Sequence, residues 1–173
     1  KSVLANYYGR VTWGQHVADW GAYTVIDEAA YCNGGPDHRS TFEDDRWRVY
    51  DYTLVRDINQ FLKGLRETTA LTDAAKAPLE GEARFLRAWY YFNVCRGLGG
   101  MPIVGDEIFD YEAGMDVTTL QRPRATEAEM YDYIISECKA IYDMLPAEKQ
   151  TNSARANKWA AKMLEARAAV YAL

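Results

Sequence analysis

The sequence predicts an all-α protein made of antiparallel helix hairpins with long irregular loops between them. Apolar residues recur at steps of three and four along most of the 173-residue chain, a period typical of amphipathic helices rather than strands. The run 79–98 is apolar around most of its circumference, so it must be packed from several sides. We therefore expect this run to be the central helix of the fold.

Two helices and a loop are predicted at the start of the chain. Residues 1–8 indicate the end of a helix that Gly9 closes, and the apolar spacing over 14–30 predicts a second helix. Residues 33–41 are polar and rich in Gly and Pro, which is typical of an exposed loop.

A long helix is expected next, immediately before the central one. Apolar residues keep helical spacing over 45–67, and a turn over 69–72 follows, with Thr72 as the expected N-cap. Pro78 either kinks the central helix or marks its first turn, because proline lacks the backbone N–H that an interior helical position requires.

Glycine and proline end the central helix. Gly99 and Gly100 favour a left-handed C-cap, and Pro102 prevents the helix from restarting. The segment 104–123 then shows no helical period. An irregular connection of that length inside a domain is usually functional or mobile.

Two more helices are predicted toward the end of the chain. Thr126, with Glu129 three residues later, forms a capping box, and the helix that it begins is expected to end at Pro146. A final helix is predicted from about Arg155. The aligned apolar residues of this final helix are Trp159, Met163, Ala166, Val170 and Leu173.

Composition excludes several classes of function. A net charge of −5 argues against a nucleic-acid-binding face, which requires clustered Lys and Arg. No apolar run approaches the roughly 18–20 residues that cross a bilayer. Cys32, Cys95 and Cys138 lack the paired spacing of a zinc site, and the last two fall in helical patterns as small core residues. His16 and His38 have no partner motif of a nucleophilic triad, so no cofactor or catalytic residue is predicted.

The central segment carries two motifs that resemble a known family. Residues 82–88 are Glu-Ala-Arg-Phe-Leu-Arg-Ala, and residues 99–104 are Gly-Gly-Met-Pro-Ile-Val. Three further stretches, 52–59, 124–146 and 155–171, agree in the expected order. Together these blocks resemble the SusD/RagB family, outer-membrane lipoproteins of Bacteroidetes that capture nutrients, mostly glycans, for a TonB-dependent transporter.

The resemblance implies a scaffold and a non-catalytic function. It implies tetratricopeptide-like hairpins, although a strict repeat of about 34 residues is absent from the sequence. Residues 1–173 are expected to be the N-terminal helical part of a longer protein, since the helical pattern at Leu173 has no cap or stop.

Further expectations concern the partners and the location of such a protein. The resemblance implies capture of oligosaccharides or other nutrients at the cell surface, and delivery to a SusC-like transporter. Membrane attachment would occur only through an N-terminal lipid anchor outside this chain. The alternative from another class is a helical-repeat adaptor that binds a protein or peptide, and a glycosidase is the third.

Candidate ligand-binding residues cluster around the polar loop. Sugars stack their C–H faces on aromatic rings while polar side chains bond the hydroxyls. The residues that offer this mixture are Tyr31, Asp37, His38, Arg39, Trp47 and Tyr50. Trp47 is either an exposed platform for a sugar or a cap on the hairpin core, and both interpretations stay open.

Charged residues elsewhere are predicted to serve the scaffold. The acidic residues of the irregular segment are Asp106, Glu107, Asp110, Glu112 and Asp116. They suit a calcium ion in residue type, but their spacing matches no known loop, so a solvated acidic loop is expected. In the central helix, Glu80 with Arg84, and Glu82 with Arg84 and Arg87, are expected to form structural ion pairs.

Overall fold

Five α-helices make up most of the residues that the computed structural model describes, which are 2–11, 50–110, 112–148 and 154–172. The helices are α1 (Ser2–Arg10), α2 (Tyr52–Glu67), α3 (Asp73–Leu98), α4 (Glu127–Ile141) and α5 (Lys158–Tyr171). Two short 3-10 helices, Val117–Leu120 and Tyr142–Met144, complete the regular structure, and these ranges contain no strand. The predicted all-α class is confirmed.

α2 and α3 form an antiparallel hairpin. Arg66 near the end of α2 pairs with Glu80 near the start of α3, with 2.7 Å between Nη2 and Oε1. At the other end of the hairpin, the ring of Tyr52 packs edge-on against that of Tyr90, with 6.1 Å between the ring centres. The five residues between the two helices, 68–72, make the turn.

α4 runs antiparallel to both α3 and α5. Arg84 in α3 pairs with Glu137 late in α4, whereas Phe92, two turns further along α3, packs against Tyr131 early in α4. Tyr131 also packs against Tyr171 at the end of α5. Such a series of neighbouring antiparallel hairpins is the tetratricopeptide-like arrangement that was predicted, and it is confirmed.

α3 is the central helix, as predicted. Its residues from 81 to 95 are all buried except Arg84, and Leu86 is fully buried. α1, α2, α4 and α5 all pack against it. Buried tyrosines such as Tyr91 and Tyr131 occupy the contacts between helices, which accounts for much of the 13% aromatic content.

Helix starts follow the capping side chains more closely than the apolar spacing. α2 begins at Tyr52, because the Asp51 carboxylate accepts a hydrogen bond from the backbone N–H of Leu54 at 3.0 Å. Residues 50 and 51 are therefore not helical, contrary to the prediction of a helix over 45–67. The helix expected over 14–30 and the loop over 33–41 lie outside the described residues.

Predictions for the remaining helix ends are partly confirmed. Thr72 is the N-cap residue of α3, and Pro78 lies in the second turn of that helix rather than the first. The capping box of Thr126 and Glu129 is present at the start of α4. α1 continues through Gly9 to Arg10.

The aligned apolar residues predicted for the last helix lie on one face, and that face is exposed. α5 starts at Lys158, where Asn157 caps it, rather than at Arg155. Its buried residues are Ala161, Leu164 and Ala168. The predicted apolar stripe instead lies on the exposed side, with Trp159 58% and Val170 68% exposed. The spacing found an apolar stripe but could not show which stripe the other helices cover.

Leu86→Ala should destabilise the protein by ~2–5 kcal/mol, because it removes a fully buried side chain and leaves a cavity in the central helix. A urea melt measures this change in the free energy of unfolding. The control is Leu71→Ala in the turn after α2, where the side chain is 40% exposed. Equal stability of the two variants would show that α3 is not the centre of the core.

Candidate functional site

Tyr50 is the one predicted ligand-binding residue that lies within the described ranges. Its ring is 46% exposed, and it precedes α2 by two residues. Tyr31, Asp37, His38, Arg39 and Trp47 lie outside the described residues, so both interpretations of Trp47 remain predictions.

An ion-pair clasp, formed by Arg10, Asp51 and Asp57, lies directly beside Tyr50. The Arg10 guanidinium, at the end of α1, bonds the Asp51 carboxylate at 2.9 Å and the Asp57 carboxylate at 2.6 Å. All three side chains are partly exposed. The clasp joins the end of α1 to the start of α2. Residues 12–49 lie between these two points in the sequence.

Buried tyrosines fix the clasp to the core. The backbone N–H of Asp51 donates to the Tyr90 hydroxyl at 2.9 Å, and the Tyr7 hydroxyl donates to the carbonyl of Asp57 at 2.9 Å. Tyr90 and Tyr7 are both buried. The backbone next to Tyr50 is therefore held on a rigid base.

The charge of Arg10 affects the ionisation of its partner. Burial alone would raise the pKa of the Asp51 carboxyl, but hydrogen bonds from Arg10 and from the backbone N–H of Leu54 outweigh it and lower that pKa. Asp51 is therefore a carboxylate at neutral pH. Both carboxylate oxygens of Asp51 are engaged by the scaffold, so the clasp fixes the backbone next to the exposed ring of Tyr50.

The irregular segment after α3 is fastened to the scaffold over its first part. The Tyr52 hydroxyl donates to the carbonyl of Pro102 at 2.7 Å, and the backbone N–H of Val104 donates to the Tyr91 hydroxyl at 3.0 Å. This part of the segment is therefore a fixed element of the structure. Sequence spacing alone left open whether it was ordered.

A polar cluster around the buried Arg87 side chain, which we call the Arg87 cluster, fastens the next part of the segment. It consists of Arg87, Asn59, Glu137 and Asp106. Arg87 Nη1 donates to Asn59 Oδ1 at 2.6 Å and to the carbonyl of Gly105 at 2.8 Å. Arg87 also pairs with Glu137 at 3.1 Å and with Asp106 at 2.6 Å. α2, α3, α4 and the irregular segment thus meet at one guanidinium.

Asn59 completes this attachment from α2. Its side-chain amide donates to the carbonyls of Gly105 and Glu107, at 2.9 and 2.8 Å. Asn59 is only 1% exposed, and a buried amide that lost these bonds would be costly to keep in the core. Its side chain is therefore fully committed to the scaffold.

Of the ion pairs predicted within α3, the pair of Glu80 and Arg84 is present, with 4.0 Å between Oε1 and Nη1, whereas Glu82 has a different partner. Glu82 bonds Arg155 ahead of α5, at 2.9 Å between Arg155 Nε and the carboxylate. Arg84 and Arg87 both bond Glu137 in α4. Helical spacing suggested partners on the same helix, but these residues connect different helices.

The two arginines keep Glu137 ionised. Burial alone would raise the pKa of the Glu137 carboxyl, but the hydrogen bonds and charges of Arg84 and Arg87 outweigh burial and lower it. Burial would likewise raise the pKa of Asp106, and bonds from Arg66 and Arg87 lower it. A carboxyl group with a lowered folded pKa stabilises the fold above its unfolded pKa, and this stabilisation is lost as the pH falls through the folded pKa.

Two adjacent glycines end α3, and each meets a different requirement. Gly99 is the C-cap residue with φ of +72°, a conformation that favours glycine. A Cβ on Gly100 would overlap the carbonyl oxygen of Ala125, while Ala125 donates its backbone N–H to the carbonyl of Met101 at 3.1 Å. The motif glycines are therefore explained by chain geometry.

Two acidic residues of the irregular segment pair with arginines. Asp106 pairs with Arg66 and Arg87, and Glu107 pairs with Arg122. Among the described residues, no group of three His, Cys, Asp or Glu side chains is arranged to hold a metal ion.

A shallow cleft of about 400 Å³ lies between the end of α2 and the irregular segment. Its lining residues are Lys63, Arg66, Glu67, Asp106, Ile108 and Asp110. Apart from the acidic residues of the segment, the sequence analysis did not single out any of these lining residues. The lining has no aromatic ring for a sugar to stack on, and Arg66 is already engaged by Glu80 and Asp106.

The described cysteines belong to the core. Cys95 and Cys138 are buried and free, as predicted for small core residues, and burial raises the pKa of the Cys138 thiol to about 12. Within the described ranges, no helix combines the length and hydropathy of a bilayer-spanning segment.

Glu137→Gln should lower the free energy of unfolding at pH 7 by ~3 kcal/mol or more, because it leaves two arginines short of a buried negative charge. The stability of the Glu137→Gln variant should also fall less steeply than that of the parent protein as the pH drops below the unfolded glutamate pKa of 4.5. Chemical denaturation over a series of pH values measures both effects.

The control for Glu137→Gln is Glu107→Gln, which removes the carboxylate partner of Arg122 in a pair whose side chains are 47% and 35% exposed. Such surface pairs contribute about 0–1 kcal/mol. If both variants lost the same stability at pH 7, the Arg87 cluster would not hold the helices together.

Gly100→Ala should destabilise the protein by ~1–3 kcal/mol, because the added methyl group must displace the backbone at Ala125. Gly64→Ala is the matched control, since a Cβ there meets nothing within 4 Å and alanine favours the helix by up to ~1 kcal/mol. Thermal melts of the two variants should shift in opposite directions, and a neutral Gly100→Ala would contradict the close approach.

Comparison with known proteins agrees with the motifs and with the fold. The SusD-like family profile, described as "Starch-binding associating with outer membrane", matches residues 5–170. A SusD-like protein of Bacteroides ovatus is 28% identical over 113 residues, which is 64% of this chain and 19% of that protein.

Solved structures give the same family. A SusD-like protein of Bacteroides fragilis superposes with a TM-score of 0.62 and 34% identity over 74% of this chain and 24% of that one. Surface glycan-binding protein A of Bacteroides uniformis gives a TM-score of 0.59 and 25% identity over 69% of this chain and 26% of that one. The chain thus spans about a quarter or less of the length of these relatives. It belongs to the SusD-like family.

Proposed function

We propose that this chain is the N-terminal helical part of a surface protein that binds oligosaccharides and does not cleave them. The observation that carries the proposal is the family match over residues 5–170. The relative from Bacteroides uniformis, described as a surface glycan-binding protein, supports the same class of ligand. Residues 1–173 would then supply a scaffold and part of the ligand site.

The ligand site in this proposal lies at the segment that the clasp of Arg10, Asp51 and Asp57 holds. Tyr50 offers an exposed ring next to the Asp51 backbone, which the Tyr90 hydroxyl fixes. Trp47 and His38 are proposed from the sequence alone, as a ring and a hydrogen-bonding group. Aromatic stacking together with fixed polar groups is the chemistry by which a sugar is recognised.

The proposal includes a place and a partner. The protein would be anchored to the outer membrane and exposed at the cell surface, and it would pass its ligand to a SusC-like TonB-dependent transporter. A tagged full-length protein should co-purify with such a transporter from detergent-solubilised outer membranes. Incubation with the bound oligosaccharide should release no new reducing ends, since binding without hydrolysis is proposed.

Trp47→Ala in the full-length protein should weaken oligosaccharide binding by ~1 kcal/mol, the scale of one aromatic contact, while the melting temperature stays unchanged. Isothermal titration with malto-oligosaccharides and a panel of β-linked oligosaccharides measures the affinity. Tyr50→Ala should act in the same direction, because its exposed ring lies at the same place in the chain.

Two further variants control this experiment. Trp47→Phe keeps a ring and should retain most of the affinity. Leu71→Ala removes an apolar side chain that is about as exposed as Tyr50, at the opposite end of α2, and should leave binding unchanged. A loss of ~3–5 kcal/mol of stability in Trp47→Ala would instead identify a buried ring and remove Trp47 from the ligand site.

A further inference from the structure

Two buried polar atoms beside the Arg87 cluster have no hydrogen-bond partner among the described residues. One is Nε of Arg87, and the other is the hydroxyl oxygen of Tyr133 in α4. The Arg87 side chain is only 2% exposed, and both terminal nitrogens of its guanidinium already bond members of the cluster or the segment backbone. Its Nε–H is therefore a buried donor that the cluster itself leaves unpaired.

The side chains that carry these two atoms face each other between α3 and α4. Arg87 bonds Glu137 at 3.1 Å. One turn away, Tyr91 packs edge-on against Tyr133, with 5.4 Å between the ring centres. Because α3 and α4 are antiparallel, these two contacts lie side by side, four residues apart on each helix. Burial raises the pKa of the Tyr133 hydroxyl more than the nearby Arg87 charge lowers it, so this neutral group can both donate and accept.

The Tyr91 hydroxyl offers a third hydrogen bond at the same junction. Its oxygen accepts from the backbone N–H of Val104 at 3.0 Å, and the next residue, Gly105, accepts from Arg87 through its carbonyl. A phenol oxygen that accepts one bond still has its own hydrogen to donate. One N–H and two hydroxyl groups are therefore available where the irregular segment is fastened to α3 and α4.

The charges around this junction favour a neutral ligand. The ion pairs close into a ring in which arginines and carboxylates alternate. Its members, in order, are Arg66, Glu80, Arg84, Glu137, Arg87 and Asp106. Positive and negative charges are equal in number, so the ring has no net charge with which to hold an ion.

We propose that Arg87 Nε and the hydroxyl groups of Tyr133 and Tyr91 bind one internal water molecule. Unpaired polar groups are costly in a protein interior, and a buried water typically makes about three hydrogen bonds to such groups. This water accepts from the Arg87 Nε–H and the Tyr91 O–H, and it donates to the Tyr133 oxygen. It links α4 to the anchor of the irregular segment. The inference rests on the Arg87 cluster and not on the proposed function.

A crystal structure of the full-length protein, at a resolution that shows ordered waters, tests the proposal directly. We expect an electron-density peak within about 3 Å of both Arg87 Nε and the Tyr133 oxygen, the usual hydrogen-bond distance.

Three results would overturn the proposal. The absence of a peak would mean that no water is bound there. A direct hydrogen bond between Arg87 Nε and the Tyr133 oxygen would mean that the two groups satisfy each other. A peak that bromide replaces in a soaked crystal would belong to an anion.

Tyr133→Phe gives an independent measurement, because it removes the hydroxyl and keeps the ring. In the full-length protein, this variant should lower the melting temperature by several degrees, since it leaves the water and Arg87 short of a partner. Its crystal structure should also show the peak weakened or lost.

The matched control is Tyr131→Phe in the same helix. The Tyr131 hydroxyl is buried and also has no partner among the described residues, but the other two such atoms belong to Arg87 and Tyr133. Removing an unpaired polar group costs little, so Tyr131→Phe should leave the melting temperature unchanged or raise it. Equal shifts for the two variants, or a higher melting temperature for Tyr133→Phe, would count against the bound water.

Discussion

A positive charge buried in the central helix constrains the placement of the surrounding elements. The Arg87 side chain is only 2% exposed, and a charge in that position is tolerated only when hydrogen bonds and opposite charges surround it. α2 contributes Asn59, α4 contributes Glu137, and the irregular segment contributes Asp106 and a backbone carbonyl. Because a guanidinium is planar and rigid, a shift of any one element by a helical turn would remove one of these partners.

A second buried charge extends the same constraint to the last helix. Glu82, one turn before Arg87, is also almost fully buried and is bonded by Arg155 just ahead of α5. Residues of the motif segments therefore bond in pairs: Glu82 with Arg155, and Arg87 with Asn59. The recognisable part of the sequence describes the scaffold, which is why it says little about the ligand.

Sequence periodicity predicted the helices because each one has a continuous apolar stripe, and the capping box at Thr126 was predictable because its two side chains are local. Helical spacing failed where the partner is distant. Glu82 and Arg155 are 73 positions apart, and no local pattern relates them. Burial in α5 could not be read from the sequence for a related reason: Trp159 and Val170 mark an apolar stripe, but only the packing shows that it is exposed.

The candidate site was predicted from residue type, and only the position of Tyr50 falls on described residues. The anchoring of its neighbour Asp51 was missed, because the bond to Arg10 crosses 41 positions of the chain. Aromatic and polar residues near a loop suggest a ligand, whereas the support beneath them depends on tertiary contacts. Those contacts come from α1 and α3, and nothing in the sequence of the loop indicates them.

The clasp between Arg10 and Asp51 has an evolutionary consequence. It joins the residues on either side of 12–49 through groups that belong to the scaffold. The helices therefore do not fix the length of the chain between them. The entropic cost of closing a connection grows with the logarithm of its length, about 0.6 kcal/mol for each doubling. Insertions and deletions between these two points should therefore cost the helical frame little stability. The length of this stretch can therefore vary without moving Arg87 and its partners.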